Sequence, residues 1–218
     1  MKGKEGFARS NGEPFGEAQM ISSTEAFEKA LALAEELRPE ALLLSGDNLD
    51  YMHPAGERYL ARMLGNYQGR FICVPGNHES EICKDVWAPG VRTYKFDCFR
   101  IAAVDDTKKT VTDEDLAALK ALCAEGMPLI ILCHIPVSTD LCREEMKKLD
   151  QYFFIDSRSE DTNAAAFVSL IKNSGTVKAV ICGHVHGYHR CDIAPGKPQI
   201  IGSQGMAGAV GLITVSGE

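Results

Sequence analysis

At 218 residues and 23.7 kDa the chain is long enough for one α/β domain with a substantial core. Its net charge of -7 and pI near 5.4 exclude nucleic-acid binding through a broad basic face. Residues 1–16 are polar with no apolar signal region, and no apolar run could span a bilayer, so a soluble, cytoplasmic protein is expected.

The 8 cysteines contain no Cys-x-x-Cys pair, which excludes a zinc ribbon. Cys73, Cys133 and Cys182 lie inside apolar runs, as buried reduced thiols would.

Residues 1–20, with Gly3, Gly6, Gly12, Pro14 and Gly16, read as a loose arm at the start of a single domain spanning 1–218. Ser22 to Glu25 offer an N-cap, and the helical spacing from Ala26 to Leu37 stops at Pro39. The apolar run at 41–45 is a strand that ends in Gly46-Asp47-Asn48-Leu49-Asp50. A helix over 54–64 follows, with Leu60, Met63 and Leu64 on its packing face. The run at 71–74 is a second strand ending in Pro75-Gly76-Asn77-His78-Glu79.

Beyond Trp87 and Pro89 the spacing predicts a hairpin, 92–97 with 99–104, and Asp105 and Asp106 read as turn residues. Thr112 to Asp115 open another helix, and a strand at 129–133 runs into His134-Ile135-Pro136. Residues 138–159 mix apolar side chains with Arg143, Lys147, Lys148 and Arg158. They read as a helix and loop packed on the domain surface, with a lid over an anionic substrate as the alternative. A helix over 164–171 leads to the strand at 178–182 and then to Gly183-His184-Val185-His186, and strands at 199–201 and 212–215 close the chain.

Asp, Asn and His are the ligand types for a divalent cation of borderline hardness, and in an open α/β sheet ligands gather at the carboxyl ends of strands. In isolation Asp47 and Asn77 would be turn residues beside glycine, and the pair His184 and His186 would suit a loop as well as a metal. Together with His134 they make repeated strand endings of one chemical kind.

These blocks, in this order, resemble the calcineurin-like metallophosphoesterase superfamily: Gly46-Asp47-x-x-Asp50, Gly76-Asn77-His78-Glu79, His134, and Gly183-His184-x-His186. The resemblance implies a four-layer α-β-β-α sandwich of two mixed sheets. The family's opening Asp-x-His has no counterpart, since no His precedes His53 and no Asp precedes Asp47, so the usual first strand is expected to be lacking. By resemblance, Asp47 bridges two metals, Asn77, His134 and His184 complete one of them, and His186 serves the other. His78 would be the non-ligand catalytic histidine, with Glu79 or Asp50 orienting an imidazole, although Asp50 reads better as a structural acceptor. His53 and His189 match no family position, and His189 reads as a surface-loop residue.

The resemblance therefore implies divalent metal ions (Mn, Fe or Zn), one well held and the second weak or absent. It also implies metal-dependent hydrolysis of phosphate mono- or diesters by a metal-activated water, impaired by the missing block. A catalytically weak or inactive member that binds metal or a phosphorylated ligand is the alternative, and a truncated chain would reconcile the two. A regulatory partner-binding domain rests only on the apolar and basic insert. The small size favours a small-molecule phosphate ester as substrate, with no nucleic acid and no membrane as partner. A missing central strand favours strand swapping or a homodimer.

Overall fold

The computed structural model describes residues 22–49, 54–79, 90–149, 153–203, 205 and 209–216. The arm, Asp50, His53 and Trp87 lie outside these residues.

Helix α1 (Ser23–Leu37) begins where Ser22 accepts the Glu25 N–H on its side chain. It is followed by β1 (Leu42–Leu44), α2 (Pro54–Asn66) and β2 (Phe71–Cys73), and β1 and β2 pair in parallel. Next come the antiparallel pair β3 (Arg92–Lys95) and β4 (Arg100–Ala103), then α3 (Asp113–Ala124) and β5 (Leu129–Leu132). The N-terminus of α3 carries a capping box in which Thr112 and Asp115 each accept the other's backbone N–H.

The insert contributes β6 (Val137–Ser138), α4 (Arg143–Leu149) and β7 (Ile155–Asp156), with β6 and β7 paired in parallel. Then follow α5 (Thr162–Asn173), β8 (Val177–Cys182), β9 (His189–Ala194) and β10 (Lys197–Ile201). The larger sheet is mixed, in the order β3-β4-β5-β8-β10-β9.

Alternating side chains build the layers. On one face of the large sheet, Ala102, Leu129, Ile131, Val177, Val180 and Cys182 pack against α3, α4 and α5 through Leu119, Met146 and Phe167. On the other face, Ile101, Ala103, Ile130, Leu132 and Ile181 meet Leu43 and Ile72 of the β1–β2 sheet and Val74 just beyond it. The outer face of that small sheet, with Leu42, Leu44, Phe71 and Cys73, is covered by α1 and α2 through Leu31, Leu60 and Leu64. The result is the α-β-β-α sandwich, and among the described residues its smaller sheet consists of β1 and β2. The described cysteines are unbridged, with Cys73, Cys133 and Cys182 buried as expected.

Several elements depart from expectation. Residues 212–215 form no strand; Leu212 is 74% exposed and the segment from 209 to 216 is irregular. The strand expected at 199–201 does form, as the end of β10 between β8 and β9, where Gln199 to Ile201 pair in register with Val180 to Cys182. His189 is not in a loop: it opens β9, half-buried, with Nε2 3.0 Å from Glu145 Oε1. The insert packs rather than covers, and it reaches further inward than a surface helix, since Cys142, Met146 and Ile155 are buried in the main core. Gln199 ties its first strand down, accepting the Val137 N–H and donating to the Val137 carbonyl at 2.8 and 3.1 Å.

Candidate metal centre

Parallel neighbours release their chains on the same side, so β1 and β2 bring Asp47 and Asn77 together, and β5 and β8 do the same for His134 and His184. The sandwich then sets the two pairs opposite each other. Asp47, His134 and His184 place their donor atoms within 4.8 Å of one another, and this is the one such group among the described residues.

The tautomer of His134 follows from its surroundings. Nδ1 is 2.7 Å from the Ser45 carbonyl oxygen, which can only accept, so Nδ1 carries the hydrogen and Nε2 presents its lone pair to the other donors. Around Nε2 lie Asn77 Oδ1 at 3.0 Å, His184 Nδ1 at 3.0 Å and Asp47 Oδ2 at 3.2 Å. Lone pairs facing lone pairs repel unless a proton or a cation lies among them. Donors that share an ion at about 2.1 Å sit roughly 3.0–3.4 Å apart, so this set fits a small divalent cation.

The electrostatics of the centre agree. Burial opposes charge on Asp47, but the His134 hydrogen bond and the His78 N–H outweigh it and lower its pKa. Burial likewise opposes charge on His134, and the hydrogen bond and charge of Asp47 outweigh it and raise its pKa.

The loops need unusual backbone. Gly46 has φ +91°, Asp47 +52° and His184 +66°, a region that costs non-glycine residues energy and that often marks functional loops. Glu79 is buried and accepts the N–H groups of Leu49 at 2.7 Å and Gly76 at 3.0 Å, which locks the Asp47 loop to the Asn77 loop. Burial raises its pKa to about 7 against those hydrogen bonds. With the Asn48 amide as a further donor, its carboxylate holds the two loops in place.

His78 donates its N–H to Asp47 Oδ1 at 3.1 Å, and its side chain is exposed. His186 is also exposed and stands outside the group of three donors.

Sequence reasoning missed Asp106. It is fully buried and accepts the His134 and Ile135 N–H groups, each at 2.9 Å, so it orients the loop that carries His134. Burial lifts its pKa to about 7 despite those bonds. Asp105 is the turn residue of the pair, accepting from the Thr107 N–H and hydroxyl. The signal for Asp106 was present, because the strand before it is one more apolar run ending in aspartate.

The model for calcineurin-like phosphoesterases matches residues 20–188. No curated protein sequence matches the chain. Among solved structures, a dimetal phosphatase from Danio rerio superposes with a TM-score of 0.62 at 14% identity, covering 84% of this chain and 78% of its own. A putative 5'-nucleotidase from Staphylococcus aureus gives 0.45 at 12% identity over 86% of this chain and 44% of its own. The NAD nucleotidase of Haemophilus influenzae gives 0.41 at 13% identity over 84% and 38%. No helix among the described residues is long and apolar enough to cross a membrane. A matched family model over most of the chain, a shared fold and a strand-end donor set lead to one conclusion: the chain belongs to the calcineurin-like phosphoesterase family.

Proposed function

We propose that this chain is a metal-dependent phosphoesterase acting on a small-molecule phosphate mono- or diester in the cytoplasm. The observation that carries the reading is the convergence of Asp47, Asn77 and His184 on Nε2 of His134. These residues would hold one divalent ion, with Mn, Fe and Zn all suited to the donor set. Such an ion would supply Lewis acidity toward a phosphoryl oxygen and toward the attacking water.

The chain's own residues do the rest. The Ser45 carbonyl fixes the His134 tautomer, the His78 N–H and Glu79 fix the Asp47 loop, and the exposed His78 imidazole stands ready to protonate the leaving oxygen. His186 would serve a second, weaker ion. Because the described residues contain one donor group, weak turnover with retained metal or phospho-ligand binding is the second reading.

The test combines elemental analysis with hydrolysis of an aryl phosphate and its diester under Mn. We expect one tightly held ion, with His184→Ala lowering metal content and hydrolysis together by more than the roughly 10–100-fold seen for outer partners. Hydrolysis that survives chelation would sink the metal mechanism. Two tight ions would sink the single-ion part, and metal without turnover would establish the second reading.

A further inference from the structure

Phe153 remains 42% exposed although it stands against the metal centre. Its ring centroid is 5.0 Å from that of His184, tilted by 53°. Lys109 places its ammonium 4.3 Å from the Phe153 centroid, over the ring. Neither residue belongs to a strand-end motif, and the donor set does not require either.

Both are presented by segments that also build the centre. Lys109 adopts φ +59° and donates its N–H to the Asp106 carbonyl at 2.8 Å, in the same turn whose buried carboxylate holds His134. Phe153 stands two residues before Ile155, whose N–H donates to the Pro136 carbonyl at 2.9 Å, just beyond His134. Two separate supports of one ligand loop thus bring a ring beside His184 and a cation onto that ring. A phenyl ring gains nothing from water, whereas beside a reaction centre its face and edge can contact a flat group. The ammonium favours an anion in a chain that is otherwise acidic overall.

We infer that Phe153 and Lys109 form a recognition subsite for phosphate esters bearing a planar aromatic ring, the ring packing on Phe153 and the anionic oxygens drawn by Lys109. This rests on the phosphoesterase reading of the adjacent centre. A ring–ring contact of this kind changes affinity about three- to tenfold. The half-buried Lys109 charge contributes about two- to fivefold, and less as salt rises.

The test is calorimetric binding of inert phosphonates to the Mn-loaded protein: methylphosphonate, phenylphosphonate and a nucleoside methylenephosphonate. We expect the ring-bearing ligands to bind about three- to tenfold tighter than methylphosphonate. The tighter of the two ring ligands tells whether an aryl or a nucleobase ring is the natural group. Phe153→Leu should abolish the preference and Phe153→Tyr should keep it, while Lys109→Gln should weaken every phosphonate and preserve the preference. Equal binding of all three by the unaltered protein, or a preference that survives Phe153→Leu, would overturn the subsite and leave the phosphoesterase reading intact. Failure of every phosphonate to bind would overturn both. Because the first comparison needs no variant, a misfolded Phe153→Leu would not rescue the idea.

Discussion

A methyl group placed on Gly76 would lie 2.0 Å from Asp47 Oδ1, and one on Gly46 would lie 2.4 Å from Nδ1 of His134. On Gly183 it would fall 2.7 Å from the Ser45 carbonyl oxygen. Each motif glycine is therefore where one ligand loop touches another. Gly76 lacks a positive φ, so its requirement is purely steric, which makes it the cleanest probe. Gly76→Ala is expected to push Asp47 aside and weaken metal binding at least about tenfold, at a stability cost of about 1–3 kcal/mol. Titration with Mn alongside far-ultraviolet circular dichroism checks this; unchanged metal affinity would show that Asp47 is not needed where it stands. The motifs made Asp47, Asn77, His134 and His184 legible as candidates. The reason for the glycines was not legible, because it depends on which loops meet across the sandwich. Asp106 ends an apolar run as the others do, but its role was not legible, since its partners are backbone groups distant in sequence.

The elements that sequence periodicity could find are those with local signals: α1 with its Ser22 cap, α3 with its capping box, and the apolar cores of β5 and β8. The pairs β6 and β7 are two residues each and owe their existence to partners far along the chain, which no local pattern encodes. Strand β9 does carry a signal, with Cys191 and Ile193 alternating inward, but it begins just after the histidine motif, where His189 reads as a surface-loop residue.

The insert is stapled by Arg143, a buried residue whose Nε and Nη2 donate to the two oxygens of Asp156 at 3.0 and 2.7 Å. Its Nη2 also reaches Ser157, and its Nη1 contacts Asp140. The Arg143 hydrogen bonds outweigh burial and hold the Asp156 carboxyl below its ordinary value of 3.8. A depressed carboxylate contributes stability that is full above its unfolded pKa and fades as pH falls through the lower folded value. Thermal melts between roughly pH 5 and pH 2 should therefore fall more steeply for the unaltered protein than for Asp156→Asn, which begins lower near neutrality. Arg143→Met should cost about 1–3 kcal/mol at neutral pH, through the lost charge-assisted hydrogen bonds to the partly exposed Asp156. Parallel curves for Asp156→Asn and the unaltered protein would remove the pair from the account.

Across the whole molecule the donors divide evenly: Asp47 and Asn77 come from the small sheet, His134 and His184 from the large one. Among the described residues the large sheet has six strands and the larger core, while the small sheet has two and lies between the large sheet and helices α1 and α2. Stability should follow that asymmetry, with the β1 and β2 amides exchanging hydrogen faster than those of β5 and β8 in the metal-free protein. A metal at 100 times its Kd adds about 2.7 kcal/mol to the bound state, and since it needs both sheets, the gain should appear mainly as slower exchange in β1 and β2. Uniform slowing over all strands would mean that the molecule opens only as a whole. Among the described residues the two sheets share no ladder hydrogen bonds, so their separation is set by side-chain packing and by the loops that meet at the centre. An ion at that seam is a ruler as well as a reagent. Paramagnetic Mn there would relax nuclear spins in both sheets according to their distance from it, and would record any slippage between the halves as it happens.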